Sequence, residues 1–230
     1  MIWNMHERGY KLKMNRYIIV LTKAILAGLL IGIAGTIYLT LDNKTVGAFL
    51  FGFGLLVICS NKLNLYTGKV GYIIDRKPNY LIDVLIIIIG NFIGTGLIAL
   101  MVNLGGLLDV VEIAKQTVLH KLDHKPLETF MLAIGCGMLM YIGVDGYYKN
   151  KNDFGKVIIV VMAVAIFILA KFEHSIADMF YFMVSGTWNI KAFLYFIVML
   201  LGNALGSVII NGLEKTVKRS EKIEENHITH

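Results

Sequence analysis

The fold of this chain turns on VIIVVMAVAIFILAKFEHSIADMFYFM, Val157 to Met183. Fourteen apolar residues lead from Val157 to Ala170; Lys171, Phe172, Glu173, His174 and Ser175 follow, then Asp178 amid a second apolar run. A membrane helix needs about 20 consecutive apolar residues. Neither run is long enough alone, and together they are. Ionisable residues inside a span are expensive and face a cavity or a partner. The stretch therefore reads as a broken membrane helix with its polar break near mid-depth, a device from which substrate sites in membranes are built.

The rest of the chain fits that reading. Of its 230 residues 57% are hydrophobic and only 17% charged, where a soluble domain carries about 25% charge. Mean hydropathy is +0.68. This is the composition of a polytopic, all-α membrane protein, whose one obligatory partner is the lipid bilayer. The net charge of +6 points to basic cytoplasmic loops, and no nucleic-acid partner is expected. Cys59 and Cys136 both lie inside apolar segments and suggest no disulfide scaffold. Met1 to Arg16 is polar and basic without a cleavage pattern, so no cleavable signal peptide is expected.

Taken in order, a cytoplasmic tail over 1–17 precedes a transmembrane region over 18–213, and a charged tail over 214–230 follows. Six spans are expected, roughly 18–41, 46–74, 80–104, 126–144, 157–183 and 191–213, with a polar connection at 105–125 and a charged loop at 145–156. The second span is broken by Ser60-Asn61-Lys62-Leu63-Asn64, as the fifth is by its own polar stretch. Six spans put both termini on one side. That side carries 13 Lys and Arg and the other 5, so the positive-inside rule puts both termini in the cytoplasm. Gly90-Asn91-Phe92-Ile93-Gly94 and Gly202-Asn203-Ala204-Leu205-Gly206 repeat 112 residues apart. With three spans per repeat, about 18–104 and 126–213, the second copy must insert upside down, giving an inverted repeat with spans two and five broken.

At Phe172-Glu173-His174-Ser175-Ile176-Ala177-Asp178-Met179 the chain resembles the FEHSxANM signature of the formate/nitrite transporter family. Leu65-Tyr66-Thr67-Gly68 is similar to that family's LFTG, Gly90-Asn91 and Gly202-Asn203 to its Gly-Asn pairs, and Gly135-Cys136-Gly137-Met138-Leu139 to its Cys-Asn-Trp-Leu-Val run. The resemblance implies an aquaporin-like fold, a homopentamer in the plasma membrane, and one path per protomer for small monovalent anions such as formate or nitrite. It implies a central His174 faced by Thr67, an outer constriction at Phe51 and Phe167, an inner constriction at Leu55, Leu65 and Tyr66, and a vestibule lysine at Lys121. The chain departs from the family at Gly137, where a pore-facing Asn is usual, and at Lys171, Lys69 and Asp178.

The residues suggest a chemistry beside the resemblance. An anion in a dry constriction meets a desolvation cost of several kcal/mol even after relaxation. Fixed positive potential or neutralisation must offset it. Helix N-termini at the two breaks supply the first, and histidine is the side chain whose charge changes near neutral pH. The expectation is that His174, oriented by Thr67 and Glu173, lends a proton to the anion, and that Lys121 concentrates anions at the outer mouth. Gly137 is expected to widen the path or remove a donor. Lys69 and Asp178 hold repeat-related places near the two-fold axis, where opposite charges are expected to pair with each other. No metal site, cofactor or nucleophile set is expected, and hence no enzyme. Alternatives are a hydrosulfide channel of the same family, an aquaporin-like pore for a neutral solute, and a non-conducting homologue.

Overall fold

The computed structural model describes residues 16–228. The basic tail expected over 1–17 thus lies almost wholly outside the described residues. Among these the regular elements are all helical: α1 (Arg16–Thr40), α2 (Lys44–Ser60), α3 (Tyr66–Lys69) continuing as a 3-10 segment (Val70–Ile74), α4 (Tyr80–Leu104), α5 (Leu108–Asp123), α6 (Pro126–Lys149), α7 (Asp153–Leu169), α8 (Ser175–Val184) and α9 (Ile190–Ile228). By length and composition α1, α4, α6 and the Ile190–Glu221 part of α9 can each cross a membrane. Exposed Leu85, Leu100, Met131, Phe193 and Leu201 on these helices suit lipid. The chain is a multi-pass helical membrane protein.

The polar breaks are built alike. Asn43 caps α2 by accepting from the Thr45 and Val46 N–H groups, and Asn152 caps α7 by accepting from Gly155 N–H. At the far end of α2 the Leu63 N–H reaches back to the Ile58 carbonyl at 2.9 Å, and at the far end of α7 the Phe172 N–H reaches the Phe167 carbonyl at 2.9 Å. These are Schellman-type ends, which need a left-handed residue. Lys62 (φ 52°) and Lys171 (φ 57°) fill that role, where a non-glycine residue costs about 1–2 kcal/mol. Both chains then run extended for a few residues before α3 and α8 begin.

Two asparagines hold the breaks in place. Asn91 Nδ2 on α4 donates to the carbonyls of Ala24 (2.8 Å) and Asn64 (2.9 Å), while its Oδ1 accepts from Tyr66 N–H at 2.9 Å. Asn203 Nδ2 on α9 donates to the carbonyls of Ala133 and Glu173, both at 2.8 Å, while its Oδ1 accepts from Ser175 N–H at 2.9 Å. Each side chain makes three bonds from a fully buried position. Two of the three bonds in each set satisfy backbone groups that the broken helix leaves unpaired in an apolar setting, and the third ties the asparagine to α1 or α6. The helices that carry and receive these clamps, α1 with α4 and α6 with α9, cross closely at glycines. A Cβ at Gly28 would lie 2.5 Å from the Asn91 carbonyl oxygen, and one at Gly137 would lie 2.2 Å from that of Asn203.

Three segments differ from the sequence-based expectation. The connection over 105–125 contains α5, a 16-residue helix that packs on α8. Its apolar Val110, Ala114, Val118 and Leu122 recur every four residues and are buried, a one-sided stripe within a polar segment. The charged loop over 145–156 is mostly helix, since α6 continues to Lys149 and α7 begins at Asp153. Lys149 pairs with Asp145 one turn back and with Glu214 on α9. The tail from Glu214 continues α9 without a break. Its start is tied down where Lys215 pairs with Asp75 and Asn211 donates to Asp75 and to the Gly71 carbonyl.

Candidate functional site

The two broken helices meet through side chains. His174 is the N-cap of α8: its Nδ1 accepts from the Ala177 N–H at 3.1 Å. Its Nε2 lies 3.0 Å from the Thr67 hydroxyl oxygen, on α3. With Nδ1 accepting, neutral His174 carries its proton on Nε2 and donates it to Thr67. The Thr67 hydroxyl hydrogen is then left for another acceptor. Both side chains are buried, and the Phe167 ring stacks on the imidazole at 5.3 Å with 25° between planes. The leading backbone donors at the breaks are already used. Tyr66 N–H goes to Asn91, Ser175 N–H to Asn203 and Ala177 N–H to His174.

A cavity of about 610 Å³ reaches His174 from the α5 side. Its polar lining includes Lys121, Glu173 and Asp178. The Lys121 ammonium pairs with Glu173 and lies 3.0 Å from Asp178 Oδ1. Both carboxylates are almost fully buried. Two expectations are corrected here. Glu173 does not orient His174, because its side chain is taken by Lys121 and both imidazole nitrogens have other partners. Lys121 is not an uncompensated anion collector either, because two carboxylates share its charge.

The expected Lys69–Asp178 pair is also overturned. Asp178 pairs with Lys121, and Lys69 Nζ lies 5.7 Å from the Tyr148 ring centroid. The two residues face different spaces. Asp178 lines the larger cavity, while Lys69 lines a second one of about 460 Å³ together with Lys62, Asn64, Arg76 and Asp83. Matching positions along two broken helices do not bring side chains together when each points toward its own end of the path. Gly137 is corrected as well. It stands in the α6–α9 crossing against the Asn203 backbone, where close approach and not a wider path requires glycine.

Beside the second cavity, at Lys69 and Tyr148, the structure is tight. A void of only about 10 Å³ remains beside Ile58, Leu63, Leu65, Gly68 and Val144. Leu65 lines that void. Leu55 is fully buried. Tyr66 is turned away to α9, where its hydroxyl donates to the Leu200 carbonyl at 2.8 Å. Phe51 and Phe167 meet edge to face at 6.3 Å and line the larger cavity with His174. Sequence reasoning missed His120 and His124, whose rings meet at 5.2 Å on the same cavity's wall. Their i, i+4 spacing at the end of an amphipathic segment was the available signal.

This arrangement can be set beside known proteins. The Formate/nitrite transporter family model matches residues 2–216. The chain belongs to the formate/nitrite transporter family. Formate channel FocA of Escherichia coli K12 is 29% identical over 182 residues, covering 68% of this chain and 62% of that protein, so the match spans less than two thirds of its length. The formate-nitrite transporter of Plasmodium falciparum 3D7 is 28% identical, covering 84% of this chain and 75% of that protein. Among solved structures, a pentameric formate channel with formate bound superposes with a TM-score of 0.75 at 22% identity, over 88% of this chain and 97% of that one. An FNT family ion channel gives 0.74 at 19% identity over 88% and 89%. Both share the fold of this formate/nitrite transporter family member.

Proposed function

We propose that this protein carries small monovalent anions of the formate or nitrite class across the plasma membrane, linked to protons, along a path past His174 and Thr67. The observation that carries it is the 3.0 Å contact between those two side chains. It joins the two broken helices between a cavity that reaches His174 and a second one lined by Lys69. Six passes form the path: α1, α2 with α3, α4, α6, α7 with α8, and α9. The matching Schellman ends and matching asparagine clamps support two repeats of opposite orientation in an aquaporin-like arrangement. Both termini lie in the cytoplasm, and the assembly is a homopentamer like that of the related formate channel.

In this function Phe51 and Phe167 narrow the outer side, and Leu65 with Leu55 closes the inner side. An ion crossing that apolar stretch meets several kcal/mol of desolvation, so it crosses as the neutral acid. The Thr67 hydroxyl, polarised by His174 Nε2–H, gives the acid a hydrogen bond midway. Protonating His174 on Nδ1 would break the α8 cap, a loss of about 0.5–2 kcal/mol. The histidine therefore favours guiding a proton over storing one. The test is a liposome flux assay with formate, nitrite and hydrosulfide at two pH values. Uptake that rises on acidification is expected. Absence of flux for all three anions, or flux indifferent to pH, overturns the proposal.

A further inference from the structure

We propose that Glu173 and Asp178 together hold one exchangeable proton above His174, and that Asp178 Oδ2 delivers it to an anion in the larger cavity. The geometry behind this is a charge imbalance. One ammonium, Lys121, serves both carboxylates. If all three groups are ionised, a net negative charge sits where Glu173 and Asp178 are each at most 2% exposed. An uncompensated buried charge is strongly unfavourable. Two carboxyl groups that share a site bind one proton far more tightly than either would alone.

The place of that proton follows from the bonds already made. Lys121 takes Glu173 Oε2 and Asp178 Oδ1. Asp178 Oδ2 has no hydrogen-bond partner although it is buried, and the residue lines the cavity. That oxygen is the free seat. Cys136 from α6 and Tyr181 from α8 lie within electrostatic reach of the pair, and Tyr38 from α1 lines the same cavity within reach of Lys121. His120 from α5, with His124, Lys171 and His174, completes the cavity's titratable wall, to which α4 and α9 contribute no residue. In the transfer step the Asp178 carboxyl turns Oδ2 into the cavity, the O–H bond there breaks and an O–H bond forms on the anion. A neutral acid leaves toward Thr67, and the carboxyl pair gains one negative charge, held by Lys121 until a proton from outer water reloads it. The delivery step rests on the anion function proposed above; the shared proton does not.

The test has two arms on the full-length protein in lipid. Infrared difference spectra across about pH 4 to about pH 9, the range over which coupled carboxyl groups titrate, report protonated carboxylic acid directly. The wild type is expected to show one titrating carbonyl stretch that Asp178→Asn removes. Glu173→Gln is expected to shift it, and serves alone if Asp178→Asn does not fold. A wild-type protein with no protonated carboxyl above the ordinary carboxylate range, or a band unchanged in both variants, overturns the proposal. Formate uptake is the second arm. Asp178→Asn is expected to lose the acid-driven rise, and Glu112→Gln, an exposed change on α5, to keep it. A rise retained in Asp178→Asn overturns the delivery step. If the wild type moves no anion at any pH, the transport proposal fails while the infrared arm still decides the shared proton.

Discussion

Thr67 and His174, 107 residues apart in the chain, join side chains at 3.0 Å where the two broken helices meet. His174 is at the same time the cap of α8. One imidazole thus ties a helix start to the opposite helix through its two nitrogens. Thr67→Val keeps the shape and leaves Nε2–H buried without an acceptor, a loss of about 1–3 kcal/mol. His174→Ala removes cap and contact together. Thermal melts in detergent should rank His174→Ala below Thr67→Val. Formate flux should fall in both, and an unchanged flux in Thr67→Val would remove that hydroxyl from the path.

Asn203 makes its three buried bonds to three separate backbone groups. Asn203→Leu strands Ser175 N–H and the Glu173 carbonyl in an apolar setting and removes the tie to the Ala133 carbonyl on α6. At about 1–3 kcal/mol for each unsatisfied group, the variant should fail to give folded protein. Asn203→Asp keeps the acceptor for Ser175 N–H and should be milder. Size-exclusion profiles after membrane extraction separate the two.

Gly137 leaves no room for a side chain. Gly137→Ala sets a methyl 2.2 Å from the Asn203 carbonyl oxygen, forcing α6 and α9 apart at a cost of about 1–3 kcal/mol. Gly137→Asn, which restores the residue usual in the family, should be worse and should not restore a pore donor. A melting temperature unchanged in Gly137→Ala would show that the crossing is looser than this.

Charge pairing gives a double-mutant test. Lys69→Met and Asp178→Asn should add within about 0.5 kcal/mol, because the residues face different cavities. Lys121→Met and Asp178→Asn should couple by about 0.5–3 kcal/mol, as residues in one ion network do. Denaturation of the three single and two double variants checks both cycles, and strong coupling between Lys69 and Asp178 would restore the pair that the geometry rejects.

At the chain's other end, pH acts through Asp75. Burial pushes its carboxyl up, but hydrogen bonds from Lys215 and Asn211 outweigh that and hold it below the usual carboxylate range. A depressed carboxyl stabilises the fold above its unfolded value of about 3.9, and the contribution is lost as pH falls through the folded value. The pair is partly exposed, so the effect is modest, about 0.2–1 kcal/mol. Protection factors at residues 211–218, each taken against the intrinsic exchange rate at that pH, should fall on acidification in the wild type. In Asp75→Asn they should already be lower at neutral pH.

The helical class, the four long apolar helices, the two polar breaks and the paired Gly-Asn motifs were all legible in the sequence. Each is a local property: lipid demands a closed backbone, and that demand shows as apolar length and as the polar residues that interrupt it. The helix α5 was not legible, because its apolar stripe is short and sits in a polar segment. What only the tertiary structure decided is which side chain meets which. Asp178 turned to Lys121 and not to Lys69, Glu173 left His174 for Lys121, Tyr66 swung to Leu200, and Gly137 faced Asn203. Those outcomes depend on how each helix is rotated and which distant segment packs against it, and residue spacing along one chain carries no record of either.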